Sequence, residues 1–414
     1  MTAPTLAIDF GTSNSAAAIL ENGSVRHLPI EAEALTLPTA VFFPADEAEM
    51  LIGTAAAEAL MAGDEGRYMR ALKSVLGLPL LHETRLIGGK RRTLASIITA
   101  FLAQIKARAE AQCGHILPHA LSGRPVHFHT NDPERDARAE DDLRTCYLAA
   151  GFESVDFLFE PEAAALAYQS RGAAGEIGLI VDIGGGTSDF TVFRSHGPRI
   201  EVLASHGIRL GGTDFDQAVS MAHVMAHLGH GGTLKRTLGT GLLPVPNAIY
   251  VDLSTWAKIP FLYTRDTERA IQDMVKHASE PRKLRRLEKV IEDHLGHTLA
   301  FAVERGKIAA NGAQSSEIAM GFIEPRLNAP ITPGSLNDAL QGFRPDLRAA
   351  MAETLTLAQV DTGQINVVIL VGGSSLMGMI AQEAQALFPH ATQDRADAFT
   401  AVVDGLARAT ALYG

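Results

Sequence analysis

Val181-Asp182-Ile183-Gly184-Gly185-Gly186-Thr187-Ser188-Asp189 repeats, far along the chain, the pattern of Ile8-Asp9-Phe10-Gly11-Thr12-Ser13-Asn14. Each copy reads as an apolar strand, an aspartate, a glycine turn carrying hydroxyls, and a second strand. Glycine lets a backbone approach a ligand closely and adopt positive φ. Successive N–H groups in such a turn form an anion-binding concavity, to which the Thr and Ser hydroxyls add donors. An aspartate facing phosphate is repelled, so its natural partner is a hydrated Mg²⁺, which keeps several waters and takes one or two carboxylates. Two such hairpins suit the gripping of a nucleoside triphosphate from both sides. The G-x-G-x-x-G fingerprint should open a helix, whereas Ser188-Asp189-Phe190-Thr191-Val192 alternates as a strand does. A P-loop is missing too, because Gly89-Lys90 is followed by Arg91.

Outward from the hairpins, an α/β chain is expected. Ile97, Ile98, Phe101, Leu102 and Ile105 form a helical stripe over 94–111. Pro133 after Asp132 marks the start of a helix over 132–150. Arg124 to Thr130 reads as a strand, and Glu160-Pro161-Glu162 leads into an Ala-rich helix through Tyr168. The small, Gly-containing stretch 171–178 reads as a crossing between lobes. Helices are expected over 214–227 and 398–412, residues 284–307 read as mostly helical, and Val367 to Val371 reads as a buried parallel strand. Residues 233–263 support no assignment.

With 414 residues, 46% hydrophobic and 20% charged, the chain is long enough for more than one core. A formal net charge of −11 argues against nucleic acid or an anionic membrane as partner. Cys113 and Cys146 give no disulfide framework; with no signal peptide and no spanning stretch, a cytoplasmic location is expected.

The two hairpins resemble the phosphate motifs of DnaK-type heat-shock-70 chaperones, members of the actin and hexokinase superfamily. Further segments match in that family's order. Ala71-Leu72-Lys73-Ser74-Val75-Leu76-Gly77 resembles the segment of its catalytic lysine, and Glu160 to Tyr168 its first connecting segment. Gly211-Gly212-Thr213-Asp214-Phe215-Asp216 resembles the helix entry after the second loop, and Val371-Gly372-Gly373-Ser374-Ser375 the adenosine motif. Asp404-Gly405-Leu406-Ala407 resembles the second connector. Among its members the chain resembles the short bacterial ones with nucleotide-binding lobes only, the YegD-like proteins.

The resemblance implies a two-lobed actin-like ATPase fold with duplicated ribonuclease-H-like subdomains around a nucleotide cleft. It implies lobe I over 1–176 with an insert at about 38–120, lobe II over 177–395 with an insert at about 226–316, and a C-terminal helix, 396–414, returning to lobe I. It implies binding of ATP and ADP with Mg²⁺, slow hydrolysis of ATP, and a client protein or co-chaperone as partner. Asp9, Asp182 and Asp189 would hold the hydrated metal. Gly11, Thr12, Ser13 and Asn14 would cradle the β-phosphate, and Gly184, Gly185, Gly186 and Thr187 would meet the γ-phosphate. Lys73 would bind the γ-phosphate or orient the attacking water, with Glu160, Asp182 and Thr187 completing the catalytic set. Gly372, Gly373 and Ser374 would pass beneath the ribose and adenine, Gly211 and Gly212 would also line the nucleotide, and Glu304 and Lys307 would contact the adenosine.

The family's adenine-stacking arginine aligns with Leu376, and no peptide-binding domain is expected after Gly414. An actin-like assembly protein and a nucleotide-gated module with little hydrolysis are the competing readings. His223, His227 and His230 lack a completing ligand and read as structural. Arg282-Lys283-Leu284-Arg285-Arg286 reads as one face of an amphipathic surface helix.

Overall fold

A computed structural model describes residues 5–31, 34–45, 49–168, 175–196, 200–236, 239–312, 314–395 and 399–413. The lobe crossing expected at 171–178 lies partly outside these residues, as does position 398 of the expected last helix. The chain divides into two compact units, Met1–Gly212 with Arg344–Gly414, and Thr213–Phe343.

The first unit carries two large sheets. One contains β1 (Leu6–Phe10), β2 (Asn14–Glu21), β3 (Ser24–His27), β4 (His119–Arg124) and β5 (Ser154–Phe159) in the order β5-β4-β1-β2-β3. The other contains β6 (Ile177–Ile183), β7 (Ser188–Ser195), β8 (Ile200–Ile208), β9 (Val367–Val371) and β10 (Thr392–Arg395) in the order β8-β7-β6-β9-β10. The pairings also correspond. β1 runs antiparallel to β2 and parallel to β4, and β6 runs antiparallel to β7 and parallel to β9. Both quoted sequence motifs therefore occupy the same place, the hairpin turn beside a central strand. Burial explains the composition of these strands: every residue of β6 and β9 is buried, so β9 reads as an unbroken apolar run and Asp182 is the one charged residue of β6.

Five helices complete the part of this unit that bears on the site: α1 (Leu94–Cys113), α2 (Pro133–Ala149), α3 (Glu160–Tyr168), α4 (Arg344–Ala358) and α5 (Ala401–Tyr413). The stripe expected on α1 is buried at all five positions. Asp132 caps α2 by accepting the Arg135 N–H at 3.0 Å, with Pro133 in its first turn. A Cβ added at Gly405 of α5 would collide with the Ala163 carbonyl of α3. The small residues of these two helices thus permit backbone-to-backbone packing, and Ala163, Ala164, Ala165, Leu406 and Ala407 join one core cluster with strand residues of both sheets.

One element departs from expectation. The strand expected over Arg124 to Thr130 ends at Arg124, and the chain beyond it is irregular. Pro125 has no N–H to donate to a ladder, and Arg124 instead pairs with Glu140 and with Asp136 at 3.3 Å.

In the second unit, the helix that begins at Gly212–Val219 continues as a π turn, Ser220–Val224, and a 3₁₀ turn, Met225–Leu228, ending at Gly229 with φ 102°. The unassigned stretch forms a hairpin, Thr233–Lys235 with Leu242–Pro244, and a helix, Ala248–Leu253. Residues 284–307, expected to be mostly helical, lie on two helices, Pro281–Glu292 and Gly296–Asn311, separated where His294 takes φ 54°. Leu284 and Leu287 are buried, while Arg282 and Arg286 both pair with Glu324, so the basic run is one face of an amphipathic helix. Among the described residues no helix is long and apolar enough to cross a membrane.

Candidate functional site

The site grows from the turns of the two hairpins. In the second, the Gly184 N–H donates to the Thr187 carbonyl at 3.0 Å, and the Gly184 carbonyl accepts the Gly212 N–H at 3.0 Å. Close packing explains the glycines. A Cβ at Gly185 would collide with the Ser13 hydroxyl and come within 3.1 Å of Thr12 Cβ, so the two turns meet. A Cβ at Gly211 would lie 2.5 Å from the Gly186 N and 2.7 Å from the Gly185 carbonyl carbon. Gly372, at φ 81°, brings the end of β9 so near that a Cβ would sit 2.6 Å from Asp182 Oδ1. A Cβ at Gly212 would strike the Ser374 hydroxyl. Thr12, Ser13, Gly184, Gly185, Gly186, Gly211, Gly212, Gly372 and Ser374 are therefore brought together, with Gly11 opening the first turn and Asn14 beginning β2 after it. Gly373 faces Phe399, whose ring carbon would lie 3.1 Å from a Cβ there.

Lys73 sits on a one-turn 3₁₀ helix, Leu72–Val75, entered through Ala71 at φ 59°. It is 6% exposed and forms an ion pair with Glu160, the first residue of α3. Asp9 lies near the end of β1, and Asp182 faces Asp189 across the β6–β7 hairpin. Burial pushes the Asp9 carboxyl up to about 7, the Glu160 charge adds to the rise, and Lys73 opposes it. Burial likewise holds Asp182 well above the carboxylate range, helped by Glu160, Asp189 and Asp9. Asp189 is pushed up to about 8 by burial and then by Glu160, although the Val126 N–H, at 2.7 Å, and the Thr187 hydroxyl hydrogen-bond to it. Four carboxylates thus share one lysine.

That crowding fits a site completed by a cation. Among the described residues no three His, Cys, Asp or Glu side chains converge closely enough to chelate an ion directly. An ion held through its own waters suits such spacing, since Mg²⁺ gives up water reluctantly.

Beside the turns opens a small cleft, lined by Thr12, Lys73, Ser74, Leu76, Pro125, Phe128, His129, Gly186, Thr187 and Arg209. Pro125, Phe128, His129 and Arg209 carry no motif that singles them out in the sequence. The first three sit in the irregular segment that reads as a strand. Arg209 sits at the strand-to-helix junction, directly before Leu210 and the quoted Gly211-Gly212.

Glu304 and Lys307 belong to the second unit, on the helix Gly296–Asn311. Lys307 is buried and pairs with Asp216 at 2.7 Å, while the Trp256 indole N–H donates to the other Asp216 oxygen at 3.0 Å. Burial raises the Asp216 carboxyl, Lys307 opposes the rise, and Glu304 adds to it. Asp216 is legible as the last residue of the Gly211–Asp216 motif, but its partnership with Lys307 and Trp256 is not.

Sequence comparison points the same way as the motifs. The Hsp70 protein family matches residues 81–234. Chaperone protein DnaK of Endomicrobium trichonymphae is 28% identical over 388 residues, covering 92% of this chain and 53% of that protein. Chaperone protein DnaK of Thermoplasma volcanium is 34% identical over 221 residues, covering 52% of this chain and 34% of that protein. The chain thus spans about half, or less, of the length of these curated relatives.

Proposed function

We propose that this chain, which belongs to the Hsp70 family, binds ATP and ADP with Mg²⁺ through its paired glycine turns, hydrolyses ATP slowly to ADP and phosphate, and uses that cycle in a chaperone-like role. The observation that carries the reading is the meeting of Gly185 with Thr12 and Ser13, two turns from distant parts of the sequence, beside the Lys73–Glu160 pair. The matching strand order and pairing of the two large sheets supports the reading of two ribonuclease-H-like repeats, with the lobe boundary near residue 176.

On this reading the turn amides and the Thr12, Ser13 and Thr187 hydroxyls hold the phosphates. Asp9, Asp182 and Asp189 hold the hydrated Mg²⁺, whose charge offsets that of the phosphates and of the carboxylates together. Phosphoryl transfer to water asks the protein mainly for alignment and charge neutralisation. Lys73 meets the terminal phosphate or orients the water, and Glu160 keeps the lysine in position. Glu160, Asp182 and Thr187 orient the attacking water and accept its hydrogen bonds. The resemblance gives Glu304 and Lys307 to the adenosine, an assignment that has to accommodate the Lys307–Asp216 pair. The client or co-chaperone, and membership of the short YegD-like group, are part of the same reading.

The test is a steady-state ATPase assay of the wild type beside Lys73→Ala, with calorimetric titration of Mg·ATP and Mg·ADP into both. Binding in both proteins and turnover only in the wild type is expected. A well-folded wild type that ignores both nucleotides at millimolar concentration overturns the reading.

A further inference from the structure

We propose that Arg209 is the cation that meets the terminal phosphate of ATP in the cleft, and that it thereby separates ATP from ADP. The inference rests on the nucleotide reading above and adds to it a residue outside the repeated motifs.

The placement is built from three sides. The Arg209 backbone N–H donates to the Thr130 hydroxyl at 2.8 Å, which ties the end of β8 to the irregular segment after β4. One residue on, the Leu210 carbonyl accepts the Ser188 hydroxyl at 2.7 Å, and Gly211 presses on Gly185 and Gly186. The guanidinium donates to the Ser74 carbonyl at 3.2 Å, so it lies over the residue next to Lys73. Arg209 lines the cleft together with Thr12, Lys73, Gly186 and Thr187.

The charges differ in a way that matters. Lys73 is buried and already paired with Glu160. Arg209 is exposed, and among the described residues no carboxylate forms an ion pair with it. The Ser74 carbonyl occupies one of the five N–H donors of its planar fork, a geometry that matches phosphate oxygens. His129, at the same cleft, has its imidazole held below the usual range, first by burial, with the Arg209 charge contributing. Arg209 thus brings a positive charge to the cleft with no carboxylate paired to it among the described residues. A terminal phosphate beside Lys73 and Thr187 would come within reach of it, and a nucleotide lacking that phosphate would not.

The experiment measures Mg·ATP and Mg·ADP affinities of the wild type, Arg209→Ala and Arg209→Gln by calorimetry, with thermal melts as a control on folding. ATP affinity is expected to fall about 10-fold or more in both variants, with ADP affinity changing by less than about 2-fold. An unchanged ATP-to-ADP ratio with a nucleotide-binding wild type overturns the role of Arg209 alone. Equal losses for both nucleotides overturn it too. If Arg209→Ala does not fold, the ratio in Arg209→Gln decides. A wild type that binds neither nucleotide overturns the proposed function and this inference together.

Discussion

Among the described residues two lysines are buried, Lys73 in the first unit and Lys307 in the second, and each faces a carboxylate. Their surroundings differ. Lys307 meets Asp216, whose second oxygen takes the Trp256 indole N–H, and Glu304 is the one further acid that acts on Asp216, so the pair is nearer to balance. Lys73 meets Glu160 but stands amid Asp9, Asp182 and Asp189 as well, so carboxyl groups outnumber the cation and oppose one another's ionisation. A balanced buried pair can be sustained by its own Coulomb and hydrogen-bond energy. An unbalanced one is costly until a ligand brings positive charge. The surroundings of Lys73 fit the cation site proposed above, whereas those of Lys307 supply a partner from within the protein.

That contrast can be broken in several ways. Lys73→Ala has the largest expected effect: ATP turnover falls by about 10³-fold, about 4 kcal/mol of barrier, while Mg·ATP still binds. Parental turnover in single-turnover assays would remove Lys73 from the mechanism. Lys307→Met leaves Asp216 buried and unpaired, and unfolding free energy is expected to drop by about 3 kcal/mol in urea melts. Adding Asp216→Leu should restore much of that loss; if the double variant is as unstable as the single, the pair is not what Asp216 needs.

Asp9→Asn should weaken Mg·ATP about 10-fold and leave the ligand-free protein at least as stable as the wild type, because one of the crowded charges is gone. A destabilised ligand-free variant would mean the carboxylates are not in excess. The pH dependence of the ligand-free protein sharpens the same point. Asp9 and Asp189 hold protons up to about 7 and about 8 in the folded state, against 3.8 for the ordinary carboxyl. The folded state binds more protons across that interval, so stability falls as pH rises through it, by about 1.4 kcal/mol per pH unit for each proton. Melting temperature should decline from about pH 5 to about pH 8, and Mg·ATP should lessen the decline. A flat profile would contradict the raised carboxyls. Smallest is Trp256→Phe, which removes one hydrogen bond to Asp216 and should lower stability by about 1 kcal/mol in the same urea melts.

The repeated aspartate-glycine hairpins are legible because their chemistry is local. A strand, a carboxylate and a glycine turn lie within nine residues, and nothing distant is needed to recognise them. The helical stripe of α1 and the apolar run of β9 are legible for the same reason, since burial on one or both faces writes its period into the chain. The segment after Arg124 reads falsely as a strand because its alternating residues, Val126, Phe128 and the histidines beside them, satisfy a period of two without a ladder to join. Pro125 is the local sign against it. Residues 233–263 give no periodic signal, and their hairpin and short helix take shape from packing within the second unit.

Taken by itself, the amino-acid order determined the α/β character, the resemblance to the Hsp70 family, and which aspartates and glycines could serve a phosphate, because each of those depends on neighbours along the chain. Only the tertiary structure decided which of these residues meet. It brought Gly185 against Ser13, seated Glu160 on Lys73, engaged Lys307 with Asp216, and set Arg209 at the mouth of the cleft. Such meetings depend on strand order and close packing between residues far apart in sequence, and the energy of a buried charge depends on every charge that folding gathers around it.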